Sequence, residues 1–454
     1  MDIHTLVANQ RTYFLSGATR SLAFRQRALS KLQKALREQE SLLSQALSQD
    51  LGKSPLESYM TEIGLVLDEI RFHQRHLPRW MRQKSVPTPL AQFYSRSFVS
   101  PEPHGVTLIM TPWNYPVQLC LEPLVGAISA GNCAVVKPSA YAPSVSAALA
   151  KILGEIYPPE YIAVVEGGRK ENSALLEERF DYIFFTGSVA VGKTVMAAAA
   201  KHLTPVTLEL GGKSPVIVDN TANLKLAARR IAFGKVLNAG QTCVAPDYLF
   251  LQKGLLEDFL EAYRKALKSF FPQGSLESMP TMVNDKHFCR VTRLMQPERV
   301  AIGGNFHAKA RRIEPTVLVD VTPDSPIMQE EIFGPVLPIL TYERLEECIS
   351  YIQSHEKPLA LYLFTSSKQT RRKILSSCSF GGGCINDTII HLATPHMGFG
   401  GVGASGMGSY HGYESFRTFS HFRSIVDKST FLDLPLRYHP YSRQKEKIIR
   451  MFLK

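Results

Sequence analysis

The spacing of apolar positions divides the chain into three rhythms. Near the start, Leu29, Leu32, Leu36, Leu43 and Leu47 fall close to one face of a helical winding, and Gly52 supplies a stop. A second helical pattern runs over about 57–80. Over 87–103 the text turns Pro-rich and alternating, as in Gln92-Phe93-Tyr94-Ser95-Arg96-Ser97-Phe98-Val99, which suits an extended arm or hairpin. A strand–helix alternation follows. It predicts strands at 106–110, 134–136, 162–165 and 182–185, with helices at 117–130, 144–156 and 189–202. Such alternation argues for a parallel α/β sheet, whose ligands sit beyond the carboxyl ends of its strands. A second α/β rhythm begins near Val216, with a helix over about 223–238, a strand at 248–251 and a helix over 255–270. The Gly-rich run Gly400-Gly401-Val402-Gly403-Ala404-Ser405-Gly406-Met407-Gly408 is expected to be loop. No internal repeat is visible.

Composition narrows the class. The 454 residues exceed what one core usually organises, so two or three domains are expected. With 44% hydrophobic and 20% charged residues, the chain is neither a disordered segment nor a membrane bundle. The opening Met1-Asp2-Ile3-His4 lacks the basic start and apolar core of a secretion signal. The most apolar stretch, 119–136, is interrupted by Glu122, Pro123, Gly131 and Asn132, so no membrane span is expected. The 7 cysteines are odd in number and irregular in spacing, and form no CxxC pair. A disulfide framework or a zinc site is not expected, and a reducing cytoplasm is the default.

The net charge of +12 reads as a solvated basic surface, and no nucleic-acid partner is expected. Part of the excess is local. Arg437, Arg443, Lys445, Lys447, Arg450 and Lys454 face only Glu446 over 437–454, a tail suited to peripheral contact with an anionic membrane.

Five segments carry candidate chemistry. Cys243 ends Asn238-Ala239-Gly240-Gln241-Thr242-Cys243, where Gly240 permits close backbone approach to a ligand. Taken singly, a cysteine is most often a small buried hydrophobe, and the other six cysteines keep that reading. Asn114 lies between two prolines in Thr111-Pro112-Trp113-Asn114-Tyr115-Pro116, after a strand; its amide suits an oxyanion donor or an ordinary turn. Glu209 ends the strand-like Val206-Thr207-Leu208 and suits a general base or a structural carboxylate. Phe185-Thr186-Gly187-Ser188-Val189-Ala190-Val191-Gly192 is a strand, a glycine turn and a helix start, a geometry that aims backbone N–H groups at a phosphate. It is not the GxGxxG fingerprint. Lys137, in Val135-Val136-Lys137-Pro138-Ser139, ends another strand within reach of a ribose hydroxyl.

In this order the segments resemble the NAD(P)-dependent aldehyde dehydrogenase superfamily, specifically its class 3, the fatty and aromatic aldehyde dehydrogenases. The resemblance covers nearly the whole chain. It rests on PWNYP at 112–116, VVKPS at 135–139, FFTGSVAVG at 184–192, LELGGKSP at 208–215, GQTC at 240–243, EEIFGP at 330–335 and PHMGFGGVGASGMGSYHG at 395–412. It implies a Rossmann-type parallel-sheet cofactor domain (1–85 and 104–208), an α/β catalytic domain (209–394) and a small bridging β arm (86–103 with 395–425), followed by the basic tail 426–454. It implies Cys243 as nucleophile, Glu209 as general base and Asn114 as oxyanion donor. Lys137 and Glu331 would meet ribose hydroxyls of an NAD or NADP cofactor, Phe333 would pack near the nicotinamide ribose, and Gly187, Ser188 and Gly192 would line the pyrophosphate. Between the neighbours Glu330 and Glu331, the IFGP segment selects Glu331. Tyr115, where many relatives outside class 3 carry Phe, fits class 3, whose members are commonly dimers.

One departure from the family bears on the cofactor. Many NAD-preferring relatives carry Glu after the KPS segment; here the position is Ala140. That implies acceptance of NADP. The implied activity is oxidation of an aliphatic or aromatic aldehyde to the acid through a cysteine thiohemiacetal and a thioester. Two alternatives stay open at this level. One is a CoA-acylating enzyme, although its representatives commonly lack the Glu209 base. The other is a non-catalytic binding or structural member, although Cys243, Glu209 and Asn114 are all present.

Overall fold

The fold comes from a computed structural model that describes residues 2–296 and 298–453; Lys454 of the basic tail lies outside the described residues. The five leucines of the first helical pattern are fully buried, but on two helices, Leu22–Glu38 and Glu40–Leu51, separated at Gln39. No glycine or proline marks that turn, so periodicity reads across it. Gly52 closes the second helix in the left-handed region (φ 66), where it carries no Cβ penalty. A further helix, Ile3–Leu15, precedes both, with the Asp2 carboxylate accepting from Thr5 N at 3.0 Å as its cap. The pattern over 57–80 is helix Pro55–Ser58, a π turn Tyr59–Ile63 and helix Gly64–Trp80.

Two parallel sheets form the body. In the six-stranded one the order is Gly406–Met407, Val206–Leu210, Tyr182–Gly187, Val106–Met110, Cys133–Lys137 and Ile162–Val164. The chain enters at Val106–Met110, winds outward one way through Cys133–Lys137, then returns to the other side with Tyr182–Gly187. The strand order therefore reverses between Val106–Met110 and Tyr182–Gly187, and the loops leaving these two strands open the crevice where ligands bind. The Gly-rich run is not wholly loop. Gly406–Met407 pairs antiparallel with Leu208 and Glu209. A side chain at 406 would stand 2.2 Å from the Leu208 carbonyl, so glycine is what allows the contact.

The second sheet has seven strands in the order Arg299–Ile302, Thr316–Val319, Val336–Tyr342, Tyr248–Gln252, Pro215–Val218, Ala360–Phe364 and Gly382–Ile385, with only Arg299–Ile302 antiparallel. Val206–Leu210 runs through the 208/209 position, so Glu209 is held by the six-stranded sheet. Lys84–Val86, Ser95–Pro103 and Ser420–Lys428 form a separate antiparallel sheet that continues past residue 425. Among the described residues, no helix is long and apolar enough to cross a membrane.

Candidate active site

Cys243 follows an unusual stretch of backbone. Asn238, Ala239 and Gly240 are consecutively left-handed (φ 49, 53 and 70) after the helix Leu224–Val236. For Asn238 and Ala239 this costs about 1–3 kcal/mol each and persists only where the surroundings hold it. Here Asn238 N donates to Glu57 Oε1 (2.7 Å), and Asn238 Nδ2 donates to the Asn114 carbonyl (2.7 Å). The Gln241 side chain ties back to Asn238 O (3.1 Å) and across to Thr281 O (3.0 Å). Gly240 does permit a close approach, but to protein: a Cβ there would lie 2.3 Å from the Gly334 carbonyl. The cysteine loop and the loop carrying Glu331 and Phe333 thus lean on each other.

Asn114 is fixed from both ends. Its carbonyl accepts from Asn238 Nδ2 and from Lys53 Nζ (3.0 Å), the latter buried and paired with Glu62 at 2.5 Å. The other Glu62 oxygen accepts from Val117 N (2.7 Å). The Asn114 amide donates to the Gln241 carbonyl (3.0 Å), which engages one of its two N–H bonds and orients the second.

Two cavities meet at Cys243. The polar one lies at the crevice between the sheets and is lined by Asn114, Gly187, Ser188, Glu209, Cys243, Glu331 and Phe333. Seven of the nine residues singled out from sequence are therefore together. Lys137 and Gly192 are not among its lining residues. Lys137 is buried with Nζ on the carbonyls of Pro138 (2.6 Å) and Gly167 (2.7 Å). Gly192 faces the six-stranded sheet, where a Cβ would meet Leu210 Cδ2 at 2.7 Å, so its glycine serves helix–strand packing. Ser188 caps the 12-residue helix Val189–Ala200, its Oγ accepting from Val191 N at 3.4 Å. That helix start, with Gly187 before it, offers free backbone donors and the positive end of a dipole to a phosphate.

The second cavity, of about 180 Å³, is apolar. Leu65, Leu119, Phe233, Leu237, Ile389 and Phe399 line it, and Tyr115 Oη hydrogen-bonds Thr242 Oγ1 (2.6 Å) in its wall. Met60 and Thr61 reach it from the π turn, an insertion that re-aims side chains and recurs at functional sites.

The charged groups are held away from their ordinary states. Burial raises the Glu209 carboxyl well above the usual range, and neither of its oxygens has a partner among the described residues. Burial pushes Glu331 up to about 8, Asp247 adding to the effect. Burial, then Glu331 and Glu209, push the Cys243 thiol up to about 12. The orphaned carboxylate, the glycine turn and the capped helix fit a dinucleotide whose cationic ring would reverse the last shift, since a positive charge beside a thiol favours the thiolate.

Sequence reading missed the helix Asp285–Met295. Its Arg290 donates to the carbonyls of Glu331 (3.0 Å) and Ile332 (2.6 Å), clamping the EEIFGP backbone, and its His287 stands against Trp113 in the polar cavity. Amphipathic spacing could have found the helix but not these roles. Among the other cysteines, Cys289 is exposed and Cys384 half-buried beside His391 Nδ1 (3.6 Å), against the expectation of burial.

Residues 1–425 match the aldehyde dehydrogenase family profile. The chain belongs to the aldehyde dehydrogenase family. It is an NAD(P)-dependent enzyme that oxidises an aldehyde group. It is 48% identical over 450 residues to the 4,4'-diaponeurosporen-aldehyde dehydrogenase of Staphylococcus aureus, covering 98% of each chain. It is 46% identical over 430 residues to the dimeric NADP-preferring aldehyde dehydrogenase of Rattus norvegicus, covering 94% of this chain and 95% of that one. A solved structure of the Staphylococcus aureus AldH in its substrate-bound state superposes with a TM-score of 0.98 at 47% identity, over 100% of both chains.

Proposed function

We propose that Cys243, Asn114 and Glu209 perform the oxidation, with the aldehyde in the apolar cavity and the cofactor in the polar one. The observation that carries this reading is that Cys243 lines both cavities. The Cys243 thiolate attacks the carbonyl carbon, a C–S bond forms, and the carbonyl electron pair moves to oxygen. The free Asn114 N–H and the Cys243 backbone N–H hold that oxyanion. A nicotinamide held there would accept the hydride from the tetrahedral carbon, which would leave a thioester on Cys243. Glu209, once deprotonated, takes a proton from water, whose oxygen attacks the thioester carbon. The C–S bond breaks, freeing the acid and the thiolate. Gly187, Ser188 and the start of Val189–Ala200 would hold the pyrophosphate, with Lys137, Glu331 and Phe333 toward the riboses.

The substrate is an apolar aliphatic or aromatic aldehyde, and NADP serves alongside NAD or in preference to it. The three-stranded sheet is the bridging arm of a homodimer in the cytoplasm. The tail helix Arg443–Phe452, which exposes Ile448 and Met451 among basic residues, makes peripheral contact with anionic membrane. Replacement of the nucleophile tests the reading. Cys243→Ala should lower kcat by several orders of magnitude while leaving cofactor binding near wild type, followed by absorbance of the reduced nicotinamide. Retention of more than a few per cent of kcat on any good aldehyde would remove Cys243 from this role.

A further inference from the structure

The apolar cavity contains one polar device that the oxidation does not use. His411 lines it with its side chain 4% exposed. Its Nδ1 lies 3.4 Å from Glu122 Oε2, and its Nε2 has no partner among the described residues. An unpaired buried nitrogen of this kind costs about 1–3 kcal/mol, so it calls for an explanation. The same Glu122 oxygen accepts from Gln118 Nε2 at 3.1 Å, and Gln118 lines the cavity as well.

The ring is held deliberately in place. The His411 backbone is left-handed (φ 85), a conformation that a side chain of this size rarely adopts. His411 N donates to Ser415 Oγ (2.8 Å), and the next peptide N–H, that of Gly412, donates to Glu69 Oε1 (2.6 Å). Glu69 is itself bonded to buried His73 (3.0 Å), and the imidazole of His411 stacks on Tyr410 at 4.2 Å. Burial holds His411 down at about 4, and burial, with Glu69 adding to it, raises the Glu122 carboxyl. With one nitrogen turned to Glu122, the ring leaves the other as a single unsatisfied hydrogen-bonding point in the cavity wall.

We propose that His411, oriented by Glu122, is a specificity-determining subsite for a hydroxyl group carried on the apolar body of the aldehyde, away from the reacting carbon. A hydroxyl both donates and accepts, so it satisfies Nε2 whichever ring nitrogen bears the proton. This rests on the apolar cavity being the seat of the aldehyde. Against the aliphatic and aromatic wall of Leu65, Leu119, Phe233, Leu237, Ile389 and Phe399 a hydroxyl has to be stripped of water with little in return.

The test is a hydroxyl walk. Saturated aldehydes of one chain length, unsubstituted or with one hydroxyl moved carbon by carbon, are compared through kcat/KM with saturating cofactor. In the wild type, most hydroxyl positions should lower kcat/KM about tenfold, and one position should escape the loss. His411→Phe, which keeps a ring but no ring nitrogen, should bring the exceptional position down about tenfold relative to the unsubstituted aldehyde. His411→Asn, which keeps a polar side chain but is too short to reach the Nε2 position, should do the same. A wild type in which every hydroxyl position is penalised alike overturns the subsite even if neither variant folds. So does an exception that survives in both variants. No turnover of unsubstituted aldehydes of any length would instead overturn the seat itself.

Discussion

The two sides of Cys243 are built from different parts of the fold. On the apolar side the wall comes from helices and connections: Leu65 on Gly64–Trp80, Leu119 on Gln118–Ala130, Phe233 on Leu224–Val236, and Ile389 and Phe399 from segments after the last strand of the seven-stranded sheet. On the polar side Glu209, Glu330 and Glu331 converge from a strand end and a loop within one cavity, and the helix Asp285–Met295 closes it with His287 and Arg290. Strand ends are fixed by the hydrogen-bond ladder, so groups on them keep their positions. Helix side chains can change size without moving a strand. The difference assigns positional accuracy to the side where charge moves, and variable shape to the side where an aldehyde is selected. Changes on the polar side should therefore alter rate and cofactor use, and changes on the apolar side should alter which aldehyde is used.

The largest effect expected from breaking one side alone is at Glu209. Glu209→Gln should still form thioester and release one equivalent of reduced cofactor, then turn over about 10²–10⁴-fold more slowly. The raised carboxyl gives this a pH signature. A base whose pKa lies above the usual range is protonated at lower pH and works only as pH rises through that pKa, so wild-type kcat should climb with pH beyond the point where an ordinary carboxylate would already be ionised. The variant should lose the part of the climb that belongs to deacylation. Rapid mixing across pH checks both; a trace with neither burst nor trapped acyl-enzyme, with substrates still binding, would take the base role from Glu209.

The next effect tests cofactor use. Ala140 is exposed on the turn after Cys133–Lys137, and Ser139 Oγ accepts from Tyr141 N (3.2 Å). With Lys137 Nζ already on two carbonyls, the turn holds no carboxylate to accept from a 2′-hydroxyl or to repel a 2′-phosphate. The kcat/KM for NADP should lie within about tenfold of that for NAD, or above it, tenfold being about 1.4 kcal/mol. Ala140→Glu should lower it for NADP far more than for NAD. A hundredfold preference for NAD that Ala140→Glu leaves unchanged would show that another group reads the ribose.

How much of this was legible in the sequence follows the same division. Cys243, Glu209 and Asn114 stand in contiguous blocks, because a strand end (Asn114, Glu209) or a helix end (Cys243), its turn and the residue it aims are neighbours in the chain. The alternation over 106–210 gave five of the six strands of that sheet for the same reason. The apolar wall was not legible, since Leu65, Phe233 and Phe399 share no local spacing and meet only through tertiary packing. Nor was the pairing of Gly406 with Glu209, because glycine-rich text predicts conformational freedom without saying what the backbone touches. His411 looked like one residue of a family block; its orphaned nitrogen exists only once Glu122 and Tyr410 are around it.

The smallest expected effect probes the apolar side. Phe233 lines the cavity from the helix that leads into the cysteine loop, and it is half-buried. Phe233→Ala would widen the bowl without touching a strand. A long or aromatic aldehyde would lose on the order of 40 Å² of apolar cover, worth about 1 kcal/mol at about 25 cal/mol per Å². Its kcat/KM should fall about fivefold, mainly through KM, relative to that of a two-carbon aldehyde too short to reach the ring. The KM for cofactor should not follow, because the helix ends before the left-handed turn and that turn is tied independently to Glu57, Asn114 and Thr281. Parallel kinetics with short and long aldehydes over a range of cofactor concentration decide it. Equal losses for both aldehydes, or a shift in cofactor KM of similar size, would mean that the helix transmits strain into the Cys243 loop and that the two sides are not separable.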